Sequence, residues 1–455
     1  MKKILLTISA VCLTASLMAG GLVTNTNQSA AFTRLLSKNA SIMVDAAYFN
    51  PAGLTKLNDG IHVSLSNQII TQTKTIINNY ALLNDDTYVG DVKAPFFPSF
   101  YGVYKKGKFA VSLGFNPIGG GGGAEYSSGL PSFEMDIADL VPLLGSFSIP
   151  ADQYSADIYL EGTSIYFGYQ ANVAYAINDM LSVAVGARLV TAKNTQQGSI
   201  KNIMSNPTVA GVNDGSMTLM SPFFTAIGQP VYAAMTADRE LDIVQTGTGF
   251  TPIFSVNVTP IEILNIALRY EAKTKLELET EVIDDKGAGM FETGDKIVAD
   301  MPAMLAIGVD VKPIEKLLLS GSMTMYMDKN NDYDGSADLE VEMIDKNFIS
   351  YSFGAEYAIN DMFKLGAGYS GTSTGVNELY QSDLRYSLNT TTFGGGLGIS
   401  ISPLIDVNLG AMITNYDEGE KDLSARLVGS PFESVPVETY DTKTVIFSVG
   451  VDLHF

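Results

Sequence analysis

Large apolar residues alternate with small or polar ones along most of the chain. In the last eleven residues, Val445, Phe447, Val449, Val451, Leu453 and Phe455 share one face, and Ile446, Ser448, Gly450, Asp452 and His454 share the other. A period of two is strand geometry, and two unlike faces imply two unlike surroundings. The pattern recurs at 165–175, 181–189, 305–312, 363–369 and 405–414. Short turns are expected near 105–107, 178–179, 260–262, 313–316, 360–361 and 402–404. Two of them repeat the hexapeptide YAINDM, at Tyr175–Met180 and Tyr357–Met362, which implies similar turn chemistry. Longer connections are expected near 70–96, 117–161, 192–246, 283–298, 328–345, 374–387 and 417–441.

Six short turns and seven long loops join fourteen strands, and an even count puts both ends of the sheet on the short-turn side. Short turns at one end and long loops at the other are the layout of an outer-membrane barrel, with the turns periplasmic. A strand of about ten residues tilted near 40° crosses the apolar band. A soluble sandwich or propeller also alternates, but it would not sort its loops by length into two ends. The expected fold is therefore all-β: a transmembrane antiparallel β-barrel of about 14 strands over residues 60–455, multi-pass, in the outer membrane of a Gram-negative cell. Phe455, the last residue of the last apolar face, is the C-terminal aromatic that barrel-assembly machinery generally recognises.

Residues 1–19 read as a secretory signal: Lys2 and Lys3, a mostly apolar run, then small residues from Ala19. The run is too short and too rich in Ser and Thr for a spanning helix. Cys12 is the only cysteine and leaves with the signal, so neither thiol chemistry nor disulfides are expected afterwards. As a lipid-anchor site it is poor, because Val11 precedes it and apolar sequence continues beyond it. Residues 20–59 are too long for a mere tail. They contain a short helical stretch at 30–36 and a break at Asn50–Pro51. A hatch inside the lumen is the expectation, since fourteen strands enclose more space than side chains fill.

The chain carries 49 acidic against 28 basic residues, a net charge of −21. Nucleic acid is excluded as a partner, because phosphate binding needs the opposite excess. Trp is absent, so any interfacial girdle must come from the 22 Tyr and 22 Phe.

The stretch YFNPAGLTKL (Tyr48–Leu57), just ahead of the first strand, resembles the hatch motif of the FadL/TodX family of outer-membrane transporters for long-chain fatty acids and other hydrophobic compounds. Gly107–Tyr126 resembles that family's third strand and following loop, and Gly249–Glu279 and Asp300–Asp328 resemble two of its hairpins. The five-glycine run at 119–123 and the missing Trp depart from the family pattern. The resemblance implies a monomeric passive channel for a long-chain fatty acid or similar hydrophobic ligand, set in outer-membrane lipid and lipopolysaccharide, with no cofactor. Aromatic hydrocarbons or other lipids are the next ligands within the family. A general porin for polar solutes, or an adhesive surface protein acting through acidic loops, are the readings outside it.

Asn50, Pro51, Ala52 and Gly53 are the hatch candidates. Asn116, Pro117, Gly119, Gly120 and Gly121 are candidates for a lateral opening. Proline lacks a ladder donor and a glycine run weakens pairing, and in the family an inward kink of this strand opens the wall. Two loops are too apolar for ordinary solvated loops: Phe133, Ile137, Leu140, Leu143, Leu144 and Phe147 in one, and Phe223, Phe224 and Met235 in the other. The resemblance implies that they form the initial ligand groove. Arg188, Arg269 and Lys364 fall on inward faces and are the candidates for holding a carboxylate head group, or for pairing with luminal acids such as Glu356 or Asp406.

Catalysis is poorly supported. The chain has two histidines, His62 and His454, expected as neighbours at the periplasmic ends of the first and last strands, with Asp452 on the face of His454. Asn330, Asp332, Asp334, Gly335 and Asp338 approach a calcium-loop spacing, but Val341 stands where the bidentate Glu belongs, so no metal site is expected.

Overall fold

The computed structural model describes residues 22–25, 28–286, 289, 291–333, 342–424 and 436–455. The expected signal at 1–19 and the Asp334–Val341 part of the acidic loop lie outside them. Fourteen antiparallel strands close into one barrel. They are β1 (Gly60–Asn78), β2 (Thr87–Lys106), β3 (Phe109–Tyr126), β4 (Tyr154–Ala176), β5 (Leu181–Ser205), β6 (Arg239–Ile261), β7 (Leu264–Glu271), β8 (Met304–Ile314), β9 (Leu317–Tyr326), β10 (Phe348–Ala358), β11 (Phe363–Ser373), β12 (Thr390–Ser402), β13 (Ile405–Tyr416) and β14 (Val437–His454). Glu277–Lys286 and Gly419–Asp422 continue β7 and β13 upwards. The barrel closes where β1 pairs with β14, from His62 opposite His454 to Asn78 opposite Glu438.

All six short turns fall where the alternation breaks. The two YAINDM turns share one device: the Asn178 side chain accepts from the amides of Met180 and Leu181 (2.9 and 2.8 Å), and Asn360 does the same for Met362 and Phe363 (2.9 and 2.8 Å). At the other end the strands run further than the sequence pattern indicates. β1 reaches Asn78 and β2 starts at Thr87, so the connection expected at 70–96 is mostly sheet. Above the bilayer both faces of a strand meet water or loops, and the apolar alternation that marks a spanning strand fades while the backbone ladder continues. The wall is uneven as a result: β4, β5 and β6 have 23, 25 and 23 residues, whereas β9, β10 and β11 have 10, 11 and 11.

The apolar faces read from the sequence point outwards. Phe447, Val449, Val185, Leu189, Phe353 and Phe393 are all exposed on the outer wall, with Tyr and Phe rings ranged beside them. In water that belt would be an aggregation surface. In a bilayer it is matched to acyl chains, and the closed ladder leaves no free edge.

Residues 22–25 and 28–59 fold into the lumen, and most of their side chains are buried. Helix α1 (Ala30–Leu35) starts at Ser29, whose hydroxyl accepts from the Phe32 amide, and stops at Leu36 in the left-handed region. It lies on a wall of glycines. A Cβ at Gly354, Gly366, Gly368 or Gly394 would strike the helix backbone, so only glycine lets the two main chains approach this closely. Helix α2 (Ala46–Phe49) and a 3₁₀ turn (Pro51–Lys56) follow, the latter against β4, β5 and β6.

Candidate functional site

The Asn50–Gly53 stretch is pinned to the opposite wall from α1. Asn50 Nδ2 donates to Asn257 Oδ1 (2.7 Å) and to the Ser41 carbonyl (3.0 Å), and the Ser182 hydroxyl donates to the Ala52 carbonyl (2.9 Å). Pro51 opens the 3₁₀ turn, and a Cβ on Gly53 would strike Asn50 and the Ser41 carbonyl. Asp45 ties the plug to itself, accepting from Ser29 (2.9 Å) and Ser41 (2.7 Å) and pairing with Lys38 (3.2 Å).

The wall breaks at β3. β2 and β3 pair from Lys106 opposite Phe109 up to Phe100 opposite Phe115, and meet again only at Asp91 opposite Glu125. Between these points Asn116 to Gly121 are buried in succession, so the strand has turned inwards. Gly120 and Gly122 have φ of 86° and 69°, a conformation that favours glycine. Proline removes donors on both sides of the break, at Pro117 on β3 and at Pro95 and Pro98 on β2. The chain just ahead of the plug supplies partners that β2 does not. The Asn25 amide donates to Ile118 O (2.8 Å), and the Gly120 amide donates to Val23 O (3.1 Å). Gln28 bridges the two sides, accepting from Asn116 Nδ2 (2.8 Å) at its side chain and from Tyr101 OH on β2 (2.8 Å) at its carbonyl. The five residues proposed from sequence thus sit together at one gap. Its β2 side, Pro95 to Pro98 with the outward Phe96, was not anticipated, because that stretch reads as loop.

Above the lumen, the 127–153 loop forms a cap of α3 (Pro131–Ala138) and α4 (Leu140–Ser146), and the 206–238 loop adds α5 (Met220–Ala226) and α6 (Pro230–Met235). Phe133, Ile137, Leu140, Leu144, Phe223 and Phe224 are buried in the cap, with Leu143 and Met235 partly so. Phe147 stays exposed and meets Tyr232 edge-on (5.5 Å), the point where the two loops touch. A narrow cavity of about 30 Å³ runs beneath Phe133 between Ile158, Leu160, Ile200, Leu241 and Leu384. Carboxylates latch the cap down: Glu134 accepts from Tyr88 OH (2.6 Å) and Tyr154 OH (2.8 Å), and Asp139 from Tyr80 OH (2.5 Å). Asp383, in the loop between β11 and β12, accepts the Ser132 amide at the start of α3 (2.7 Å), and burial pushes its carboxyl above the usual range.

Two of the three expected head-group cations already have a carboxylate. Arg188 makes a two-pronged pair with Glu271 (2.7 and 2.8 Å), and Arg269 lies 3.3 Å from the same acid. Both guanidiniums stack on the Tyr48 ring of the plug (5.1 and 4.6 Å), and Arg269 also donates to the Tyr48 carbonyl. Glu356 pairs instead with Arg34 of α1. Lys364 lies apart from these, lining a cavity of about 370 Å³ open to the periplasmic side, with Lys38, Met43, Lys312 and Lys316.

The two histidines meet across the closing seam. Their Nδ1 atoms are 2.8 Å apart, and His454 Nε2 lies 3.2 Å from Asp406, so Asp406 and not Asp452 is its acidic partner. Asp452 accepts from Asn408 (2.9 Å). Among the described residues no group of acids, histidines or cysteines is placed to hold a metal ion.

A closed fourteen-stranded wall with a lipid-facing belt defines a multi-pass outer-membrane barrel. Solved structures share this architecture. A Pseudomonas aeruginosa FadL homologue matches at 14% identity over 96% of this chain and 100% of its own, with a TM-score of 0.64. The Pseudomonas putida toluene transporter TodX matches at 12% over 96% and 100%, TM-score 0.60. The Ralstonia pickettii toluene transporter TbuX matches at 16% over 91% and 94%, TM-score 0.52. At these identities the likeness is one of fold. No protein-family model matches the chain, and no curated protein matches it.

Proposed function

We propose that this barrel takes up hydrophobic small molecules passively, with long-chain fatty acids as the first ligand class. The ligand enters between the two apolar cap loops, crosses the upper lumen, and leaves sideways into the bilayer between β2 and β3. The observation that carries this reading is the gap itself. A membrane barrel normally pairs every backbone donor, because an orphan in hydrocarbon costs several kcal/mol. This chain instead lines a break with prolines and covers it with Val23–Asn25, held by main-chain hydrogen bonds and so removable. Burial of each CH₂ is worth about 0.8 kcal/mol, so a modest apolar path captures a long acyl chain. Aromatic hydrocarbons are the second ligand class, favoured by the transport described for TodX and TbuX.

The test straightens the gap. Replacing Pro117 and Gly119–Gly123 by Thr and Val, which pair well, is expected to abolish cellular uptake of radiolabelled oleate and toluene while binding at the outer face persists. Undiminished uptake by a correctly assembled variant would overturn the lateral route.

A further inference from the structure

Five basic side chains among the described residues are almost wholly buried: Arg34, Lys38, Lys74, Arg188 and Arg269. Four of them face a carboxylate: Glu356, Asp45 and, for the two luminal arginines, Glu271. Lys74 does not. It is 6% exposed and makes no ion pair among the described residues. Removing a cation from water costs several kcal/mol unless an anion faces it, so an unpaired buried ammonium persists only where something else repays the cost.

Lys74 lies on the inward face of β1, in line with Gln68, Ile70, Gln72, Ile76 and Asn78, all buried. Its cross-strand neighbours are Gly90 on β2 and Thr442 on β14, neither of which offers a charge. The ammonium sits 4.9 Å from the centre of the Tyr386 ring, which stacks on Tyr440 at 4.8 Å. The acid on the same face of β14, Glu438, is occupied by Asn78 Nδ2 (2.8 Å) and Tyr440 OH (2.6 Å). Four residues further up the strand, about 13 Å away, Asn78 touches Met135 of α3, where the apolar underside of the cap begins. Ile76 on β1 and Val92 on β2, both buried, are the next inward positions above and beside it. The arrangement is a single positive charge, backed by an aromatic face, at the base of an apolar cap.

We propose that Lys74 is the head-group anchor of the channel: it binds the carboxylate of a long-chain acid whose tail lies under α3. This rests on the uptake reading above and narrows its substrate class from hydrophobic molecules to anionic ones. A single ammonium matches a single negative charge, and the Tyr386 face holds the cation in place between ligands without neutralising it. Arg188 and Arg269, committed to Glu271, serve the plug instead.

The test compares two probes of equal chain length, hexadecanoate and hexadecanol, binding to the full-length protein purified in mild detergent. Wild-type protein is expected to bind hexadecanoate at least tenfold more tightly than hexadecanol. Lys74→Met, which keeps the length and apolar stem, is expected to abolish that preference and leave hexadecanol binding within twofold. Lys74→Arg is expected to retain it. Heat-modifiable migration on a gel confirms that each variant has closed its barrel. If Lys74→Met binds hexadecanoate as wild type does, or if wild-type protein shows no preference for the acid, the assignment falls. Wild-type protein that binds neither probe overturns the uptake reading itself, and the assignment with it.

Discussion

Glu271 is the residue on which the middle of the lumen depends. One carboxylate answers two guanidiniums, and both arginines clasp Tyr48 of the plug. Removing it leaves two cations buried, which costs about 3–5 kcal/mol for a broken buried pair. Glu271→Gln is therefore expected to lower stability by that order in urea unfolding of the refolded barrel; an unchanged midpoint would show that the cluster adds nothing. The sequence places Arg188 and Arg269 inward, because the alternation around them is clear. Their partner Glu271 shares the inward face of β7 with Arg269, but its meeting with Arg188 requires the strand register, which sets the two on either side of β6. Lys74 escaped notice for a different reason. It lies in the upper part of β1, where the outward residues are threonines and no apolar alternation marks the strand, so the segment reads as loop.

Among the elements, α1 and the wall of β10–β13 depend on glycine. The helix packs main chain against main chain there, with Thr33 and Arg34 adding side-chain bonds to Ser448 and Glu356 of the wall. Gly368→Val introduces a branched side chain where the Leu35 carbonyl already lies. The barrel is expected to assemble, while the plug becomes accessible to protease added from the periplasmic side; full protection would show that the helix can shift without leaving. The helix itself, the six turns and the strand count were legible in the sequence, because each is set locally: a short helical stretch ahead of Asn50–Pro51, turn residues between alternating runs, a period of two. The gap was half legible. Its β3 side announces itself by Asn116–Pro117 and the glycine run, whereas its β2 side depends on the absence of pairing, which no local pattern records.

For the whole molecule, the plug joins two opposite walls: α1 lies on β11–β13, and the Asn50–Gly53 stretch bonds to β5 and β6. It spans the lumen, so its loss changes permeability throughout. Wild-type protein in planar bilayers is expected to show no large steady conductance. Deleting residues 48–53 is expected to introduce conductance and to lower uptake of the hydrophobic ligand, with the barrel still assembled. Large conductance by the wild type would favour a porin, and unaltered uptake by the deletion would remove the plug from the route.

The uneven height of the wall has a consequence for how a solute arrives. About ten residues cross the bilayer, so β4–β6 carry more than twice what the membrane needs and rise roughly 30 Å beyond it. That is far enough to stand within the sugar coat of the outer leaflet. Under the uptake proposed above, a greasy molecule diffusing towards the cell would touch protein before it has to cross carbohydrate, with the taller flank as a landing post over the lower one.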